Sequence, residues 1–259
     1  MDALHTIHGI VARDLRRAGR QKSRLVGGLA RPFMWLILVG TGYNSITTVE
    51  GSVSYYAFVY PGLVVMAALF GAMLTAISTV YDREFGMLRL MLSSPSGVYA
   101  VLTGRAVSAT LVGALQGAVV LLTLPIFLPV TLAQMLAALG VLMVGAAVSG
   151  TMGLLVAAPL RSVENFAGVI NVVLFPLFFL SGALYPTAGM PLWARVASQL
   201  NPVTYAVDMM RGALGQPVEF CVWRSLGALG MALVVTFVGS ALLFDPERRF
   251  VLKGRGGKP

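Results

Sequence analysis

The chain has 259 residues, 57% of them hydrophobic and only 11% charged, with a formal net charge of +9. Soluble domains run at about 45–50% apolar and about 25% charged, so this composition excludes an ordinary soluble globule. The basic residues gather beside apolar runs, which argues for lipid headgroups and topology and against a nucleic-acid partner.

A hydrocarbon core about 30 Å thick is crossed by about 20 mostly apolar helical residues. Runs such as "LAALGVLMVGAAVSGTMGLLVAAP" are apolar on both faces. They read as helices and not as the alternating strands of a membrane barrel. The fold class is therefore an all-α polytopic membrane protein, a single transmembrane domain over 1–259.

Residues 3–20 predict an amphipathic helix, with Leu4, Ile7, Val11, Leu15 and Ala18 on one stripe and Arg13, Arg16, Arg17 and Arg20 on another. Such a helix lies in the membrane interface, so 1–24 is read as interfacial. Its basic region is too long for a signal peptide, and no small-residue cleavage site follows.

Six spans follow within 25–184 and 221–244: about 25–43, 56–80, 106–127, 132–157, 166–184 and 226–244. Arg31 near the start of the first snorkels toward headgroups, and Pro32 marks its first helical turn. Gly113 and Gly117 in the third permit close helix approach, within one subunit in preference to a dimer contact. Tyr56, Tyr60, Asn171, Phe175 and Phe178 are candidates to line a pathway for an amphipathic substrate. Aromatics at this depth more commonly form core or a lipid belt, and Asn171 in mid-span needs a partner.

An even number of spans puts both termini on one side. With the termini in the cytoplasm, sixteen of the 19 basic residues fall inside, and only Arg195, Arg211 and Arg224 outside. That asymmetry predicts cytoplasmic N and C termini.

The external segment 185–220 predicts two short helices. Leu192, Trp193, Val196 and Leu200 form one apolar face. Asn201 caps the second helix, with Pro202 at its first position, and Asp208 and Arg211 can pair across one turn. Cys221 is expected to be a buried free thiol. His5 and His8 are too few for a metal site, so no metal is expected. The basic tail 245–259 is read as cytoplasmic, and its end "KGRGGKP" (253–259) is expected to be disordered.

No phosphate-cradling loop is present, and no nucleophile has a visible base partner, so catalytic residues and bound cofactors are not expected. The spans are nearly free of ionisable residues, which disfavours an ion-coupled carrier. A lipid-modifying intramembrane enzyme would need clustered acids or histidines, and none cluster. The energy for any transport must come from another chain.

That leaves the charged island "YDREFGMLRLMLSSPSG" (81–97). Phe85, Leu88, Met91 and Leu92 repeat at spacings of three and four beside Asp82, Glu84 and Arg89, and Ser93-Ser94-Pro95 end the pattern. It predicts one short helix with exposed apolar knobs, lying against lipid or a protein.

Three motifs in order resemble the membrane subunit of type-2 ABC exporters, the ABC-2 permease family. "YPGLVVM" (60–66) is similar to its Pro-Gly opening of the second span. "DREFGMLRLMLSSPSGVYAVLTGR" (82–105) resembles its Glu-x-Gly-x-Leu segment, and "LNPVTYAVDMMRGAL" (200–214) its Asn-Pro-x-Thr-Tyr segment. Leu90 departs from the pattern, where many relatives carry an acid. The resemblance implies that 82–95 is a cytoplasmic coupling helix. Asp82, Arg83, Glu84, Phe85, Gly86, Leu88, Arg89, Leu92 and Pro95 would then meet a separate ATPase subunit that holds ATP and Mg. The amphipathic helix would touch the same subunit. Residues 186–214, with Asn201, Pro202 and Tyr205, would be outer re-entrant helices. Two copies of the chain would pair, with spans one, two and five near the axis, above two soluble ATP-binding cassette subunits.

Overall fold

The computed structural model describes residues 3–46, 55–92 and 97–255. Its helices are α1 (Ala3–Arg20), α2 (Lys22–Ile46), α3 (Tyr55–Thr75), α4 (Ile77–Glu84), α5 (Met87–Leu92), α6 (Gly97–Leu122), α7 (Leu124–Phe127), α8 (Leu132–Ala157), α9 (Val163–Phe179), α10 (Leu192–Leu200), α11 (Pro202–Ala213) and α12 (Val222–Arg255). The all-helical expectation holds for the described residues, which contain no strand.

Four described stretches are long and apolar enough to cross a membrane: Tyr55–Glu84, Gly97–Phe127, Leu132–Ala157 and Val222–Phe244. Of the stretches expected as spans one and five, 25–43 falls within α2 (Lys22–Ile46), whose described apolar part is Val26–Leu38, and 166–184 overlaps the shorter apolar helix Val163–Phe179. At 1.5 Å per residue the latter rises only about 26 Å.

Several boundaries differ from expectation for local reasons. Pro32 lies inside α2 and does not start it. The second span breaks at Ala76 and resumes as α4. The third begins nine residues early, at Gly97, whose φ of +79° turns the chain. Val98, Val101 and Leu102 then find apolar partners, so the helix extends past the bilayer-length run. The last helix continues to Arg255, past the expected end of the span at Phe244 and into the first residues of the stretch expected to be disordered. By contrast, α8 keeps the expected bounds, because Thr131 and Gln134 form a reciprocal capping box at its start.

The helix α3 is the hub. Of its most apolar window 83% is buried, against 22% for α12, so α3 is the core and α12 the rim. A helix apolar all round is one surrounded by others, and α3 packs against α2, α6, α8 and α11. Glycines permit the closeness. A methyl at Gly113 would meet the Ala68 carbonyl oxygen at 2.7 Å, and one at Gly117 would run into Leu142. Both glycines therefore serve packing within the chain, as expected.

One end of the bundle is sealed by α10 and α11. Asn201 caps α11 by accepting from the Val203 N–H, with Pro202 next, as expected. Its Nδ2 donates to the Leu177 carbonyl at 2.6 Å. Tyr205 donates to the Gln199 carbonyl at 2.8 Å. Gln216 reaches the Ala57 carbonyl and Gln134 the Leu214 carbonyl. The expected Asp208–Arg211 pair gives way to backbone partners. Asp208 accepts from the Glu219 and Phe220 N–H groups, while Arg211 donates to the Gly182 carbonyl and lies over Phe58. Cys221 is exposed, not buried.

Candidate functional site

The other end carries the charged island. It is not one helix over 82–95. The helix α4 stops at Glu84, Phe85 and Gly86 turn the chain, and α5 runs from Met87 to Leu92. Gly86 has φ +75°, a conformation open to glycine and strained for other residues. The segment is an elbow. Pro95 lies outside the described residues. Arg89 and Leu92 lie on α5, but their side chains are outside the described set.

Three consecutive side chains fasten the elbow to five helices. Asp82 is buried and meets Arg105 of α6. It also accepts from Arg13 of α1 at 2.9 Å, with Arg17 at 3.8 Å. Arg83 donates to the carbonyls of Ala157, Ala158 and Leu160 at 3.2, 2.6 and 2.7 Å, capping the end of α8, and its guanidinium lies over Phe244 of α12. Glu84 accepts from the Val163 N–H at 2.9 Å, at the first turn of α9. An acid there also complements the helix dipole.

Arg105 is the centre of the charge cluster, 2% exposed. Besides Asp82 it meets Asp14 of α1 at 3.3 Å and Ser78 of α4 at 3.4 Å. Arg13 bridges the same two carboxylates, reaching Asp14 at 2.9 Å. Two arginines thus balance two aspartates. Burial pulls the Arg13 guanidinium down, but the charges of Asp14 and Asp82 outweigh it and hold its pKa above the ordinary arginine value. Sequence reasoning placed Arg105 in a loop and passed over Asp14. The available signal was the single acid in a basic amphipathic helix, matched by a cation at the opening of the third span.

Apolar side chains divide between two jobs. Leu88, expected among the exposed knobs, is only 1% exposed. It packs with Ile10, Val98, Leu102, Ala158 and Phe244, and Met91 leans on the same cluster. The side chains that project are Tyr81, Phe85, Met87 and Leu90, with Phe85 64% exposed. Tyr81 and Phe85 stack with ring centroids 4.7 Å apart, and Arg17 lies over Tyr81.

The helix α1 forms as expected, but it buries a different face. Ile10 and Asp14 turn inward, with Ile10 against Gly104, and Leu4 stands exposed. Arg16 and Arg20 are exposed, while Arg13 and Arg17 turn to Asp82.

The five path candidates do not converge within one chain. Tyr60 is buried and donates to the Val120 carbonyl at 2.9 Å, beside Thr123. Tyr56 stacks with Phe127. Phe178 is buried against Trp35. Asn171 and Phe175 share the exposed face of α9, where Asn171 satisfies its amide on the Ala167 carbonyl at 3.0 Å. No cluster of three His, Cys, Asp or Glu suited to a metal exists among the described residues.

A sequence model described as ABC-2 type transporter matches residues 6–214. The chain belongs to the ABC-2 type transporter family. Among its relatives is a putative transport permease, ycf38, of Cyanophora paradoxa, 30% identical over 213 residues, covering 78% of this chain and 71% of that protein. Nodulation protein J of Rhizobium leguminosarum bv. trifolii is 28% identical over 223 residues, covering 85% and 84%. The probable multidrug ABC transporter permease YbhR of Escherichia coli K12 is 28% identical over 236 residues, covering 89% and 61%. Membership of the ABC-2 family makes this chain a multi-pass membrane protein and a transport subunit, and implies association with an ABC ATPase subunit. The matched region takes in the whole elbow and its fastenings to α1, α6, α8 and α9.

Proposed function

We propose that the chain is the membrane subunit of an ATP-driven exporter that moves an amphipathic, lipid-linked or drug-like substrate out of the cytoplasm or inner leaflet. Two copies pair, each crosses six times, and a separate ATP-binding cassette subunit docks under each copy. Both termini and the elbow face the cytoplasm of a bacterial inner membrane. The charge asymmetry supports this orientation, since residues expected inside (α1, the elbow, Arg105 and the end of α8) gather at one end. At the other end α10 leaves Leu192, Trp193, Val196 and Leu200 exposed, as a helix dipping into the outer leaflet would.

The observation that carries the reading is the elbow itself. Tyr81, Phe85, Met87 and Leu90 stand exposed at a turn whose base is tied to α1, α6, α8, α9 and α12. Each large apolar side chain is worth about 1.5–3 kcal/mol when fully buried. Four of them, less the cost of association, suffice to seat a partner. A push on such a turn reaches five helices through short, directional contacts: the ion pairs of Asp82, the hydrogen bonds of Arg83 and Glu84, and the Arg83–Phe244 ring contact. The coupling role assigned to Leu88 becomes internal bracing, while Asp82, Arg83 and Glu84 fasten the lever and Phe85 touches the partner.

The test is co-expression with a candidate ATP-binding cassette subunit, followed by purification and transport assays in vesicles against lipids and drugs. Stable association with ATP-dependent export supports the proposal. Transport by this chain alone, driven by a proton or sodium gradient, would replace it with an ion-coupled carrier.

A further inference from the structure

Gln116 of α6 is 4% exposed, and its Oε1 has no hydrogen-bond partner among the described residues. A buried amide oxygen left unpaired costs about 1–3 kcal/mol, so a partner is expected. On two sides the amide is packed closely by glycines. Gly28 of α2 and Gly71 of α3 face this oxygen, and a methyl on either would come within 2.7 Å of it.

The same side chain closes a crevice between α1, α3, α4 and α6, whose polar lining is Asp14, Arg17, Gln21, Thr75, Ser78 and Gln116. About 30 Å³ of it is open to the centres of water molecules. One water needs about 10–15 Å³ on that measure, with two to four polar partners. Gln116 lies eleven residues beyond Arg105 on α6, about 16 Å along the axis. The helix α1 forms the roof, held by the Asp14–Arg105 and Arg13–Asp82 ion pairs, with the longer Arg17–Asp82 contact beside them.

We propose that this crevice is a hydrated inlet, binding one or two waters against Gln116, and that α1 is a roof which opens it when its two ion pairs release. Water satisfies the orphaned amide by donating to it, and the hydroxyls of Thr75 and Ser78 continue the polar lining down to the charge cluster. The inlet lies beside the proposed ATPase-docking elbow, so motion of Asp82 bears directly on the roof. The side from which the inlet fills rests on the orientation proposed above.

The experiment uses the full-length chain in membrane vesicles of both orientations. Gln116→Cys and Thr75→Cys are placed in a Cys221→Ser background, and silver ion, about as small as water, is added from one face. Protected thiols are counted by mass after denaturation and maleimide tagging. Both cysteines should be protected from the cytoplasmic face, while Ala114→Cys, on the apolar side of α6, stays free. Adding Asp14→Asn should speed protection about fivefold, as the loss of about 1 kcal/mol of closure implies. Arg13→Gln, a milder change, should give a smaller increase. Protection of Gln116→Cys and Thr75→Cys no faster than Ala114→Cys from either face overturns the inlet. Rates indifferent to both Asp14→Asn and Arg13→Gln overturn the roof. The unmodified chain separates the orientation, because native Cys221 should be protected only from the opposite face. Protection of Cys221 from the same face as Gln116→Cys would reverse the topology and leave the inlet standing.

Discussion

Replacing Arg105 with methionine tests the charge cluster most severely. The substitution keeps an unbranched apolar stem and deletes the guanidinium that meets Asp82, Asp14 and Ser78. Two buried carboxylates then face each other with Arg13 between them and Arg17 at 3.8 Å from Asp82, and both of these arginine side chains are 35% exposed. Breaking a buried pair by removing one partner costs about 3–5 kcal/mol, because the remaining charge is left uncompensated. Arg13 offsets part of that, so the expected loss is about 3 kcal/mol. Denaturant titration of the purified chain in lipid–detergent micelles reads it. The double variant Asp82→Asn with Arg105→Met should cost less than the sum of the single variants, by about 1–3 kcal/mol, since both remove the same contact. A loss under about 0.5 kcal/mol with strict additivity would refute the cluster as a structural joint.

Phe85→Ala should leave thermal stability unchanged and weaken ATPase co-purification by about 2 kcal/mol, roughly a thirtyfold change in affinity. Leu88→Ala should do the reverse, lowering stability by about 2–5 kcal/mol as a cavity forms between α5, α6 and α12. Gly71→Val should destabilise by about 1–3 kcal/mol by driving a side chain into Gln116, read as a lower unfolding temperature. Tyr60→Phe should cost about 1 kcal/mol in the same assay, through the lost bond to Val120.

Much of the architecture was legible because apolar runs and caps are local signals. The bounds of α8, the cap of α11 at Asn201, and the intrachain use of Gly113 and Gly117 all follow from residues a few positions apart. The elbow was half legible. Its periodicity was visible, but the break at Gly86 and the inward turn of Leu88 depend on α6 and α12 arriving from elsewhere in the chain. The charge cluster was the least legible part. Asp14, Asp82 and Arg105 are separated by 68 and 23 positions, and no local period links them. Asn171 was expected to need a partner, and it has one nearby on the Ala167 carbonyl. A helical amide can satisfy itself on the carbonyl one turn back, so its presence in an apolar run does not announce a path.

The elbow as a docking surface is the central claim, and site-specific photocrosslinking addresses it directly. A photoreactive side chain placed at Phe85 or Leu90 in the full-length chain, in cells that also make the ATP-binding cassette subunit with which it purifies, should give an adduct with that subunit. The same group at Leu192, on the opposite end, should not. Adducts with lipid alone at both elbow positions, alongside intact ATP-dependent transport, would contradict the account.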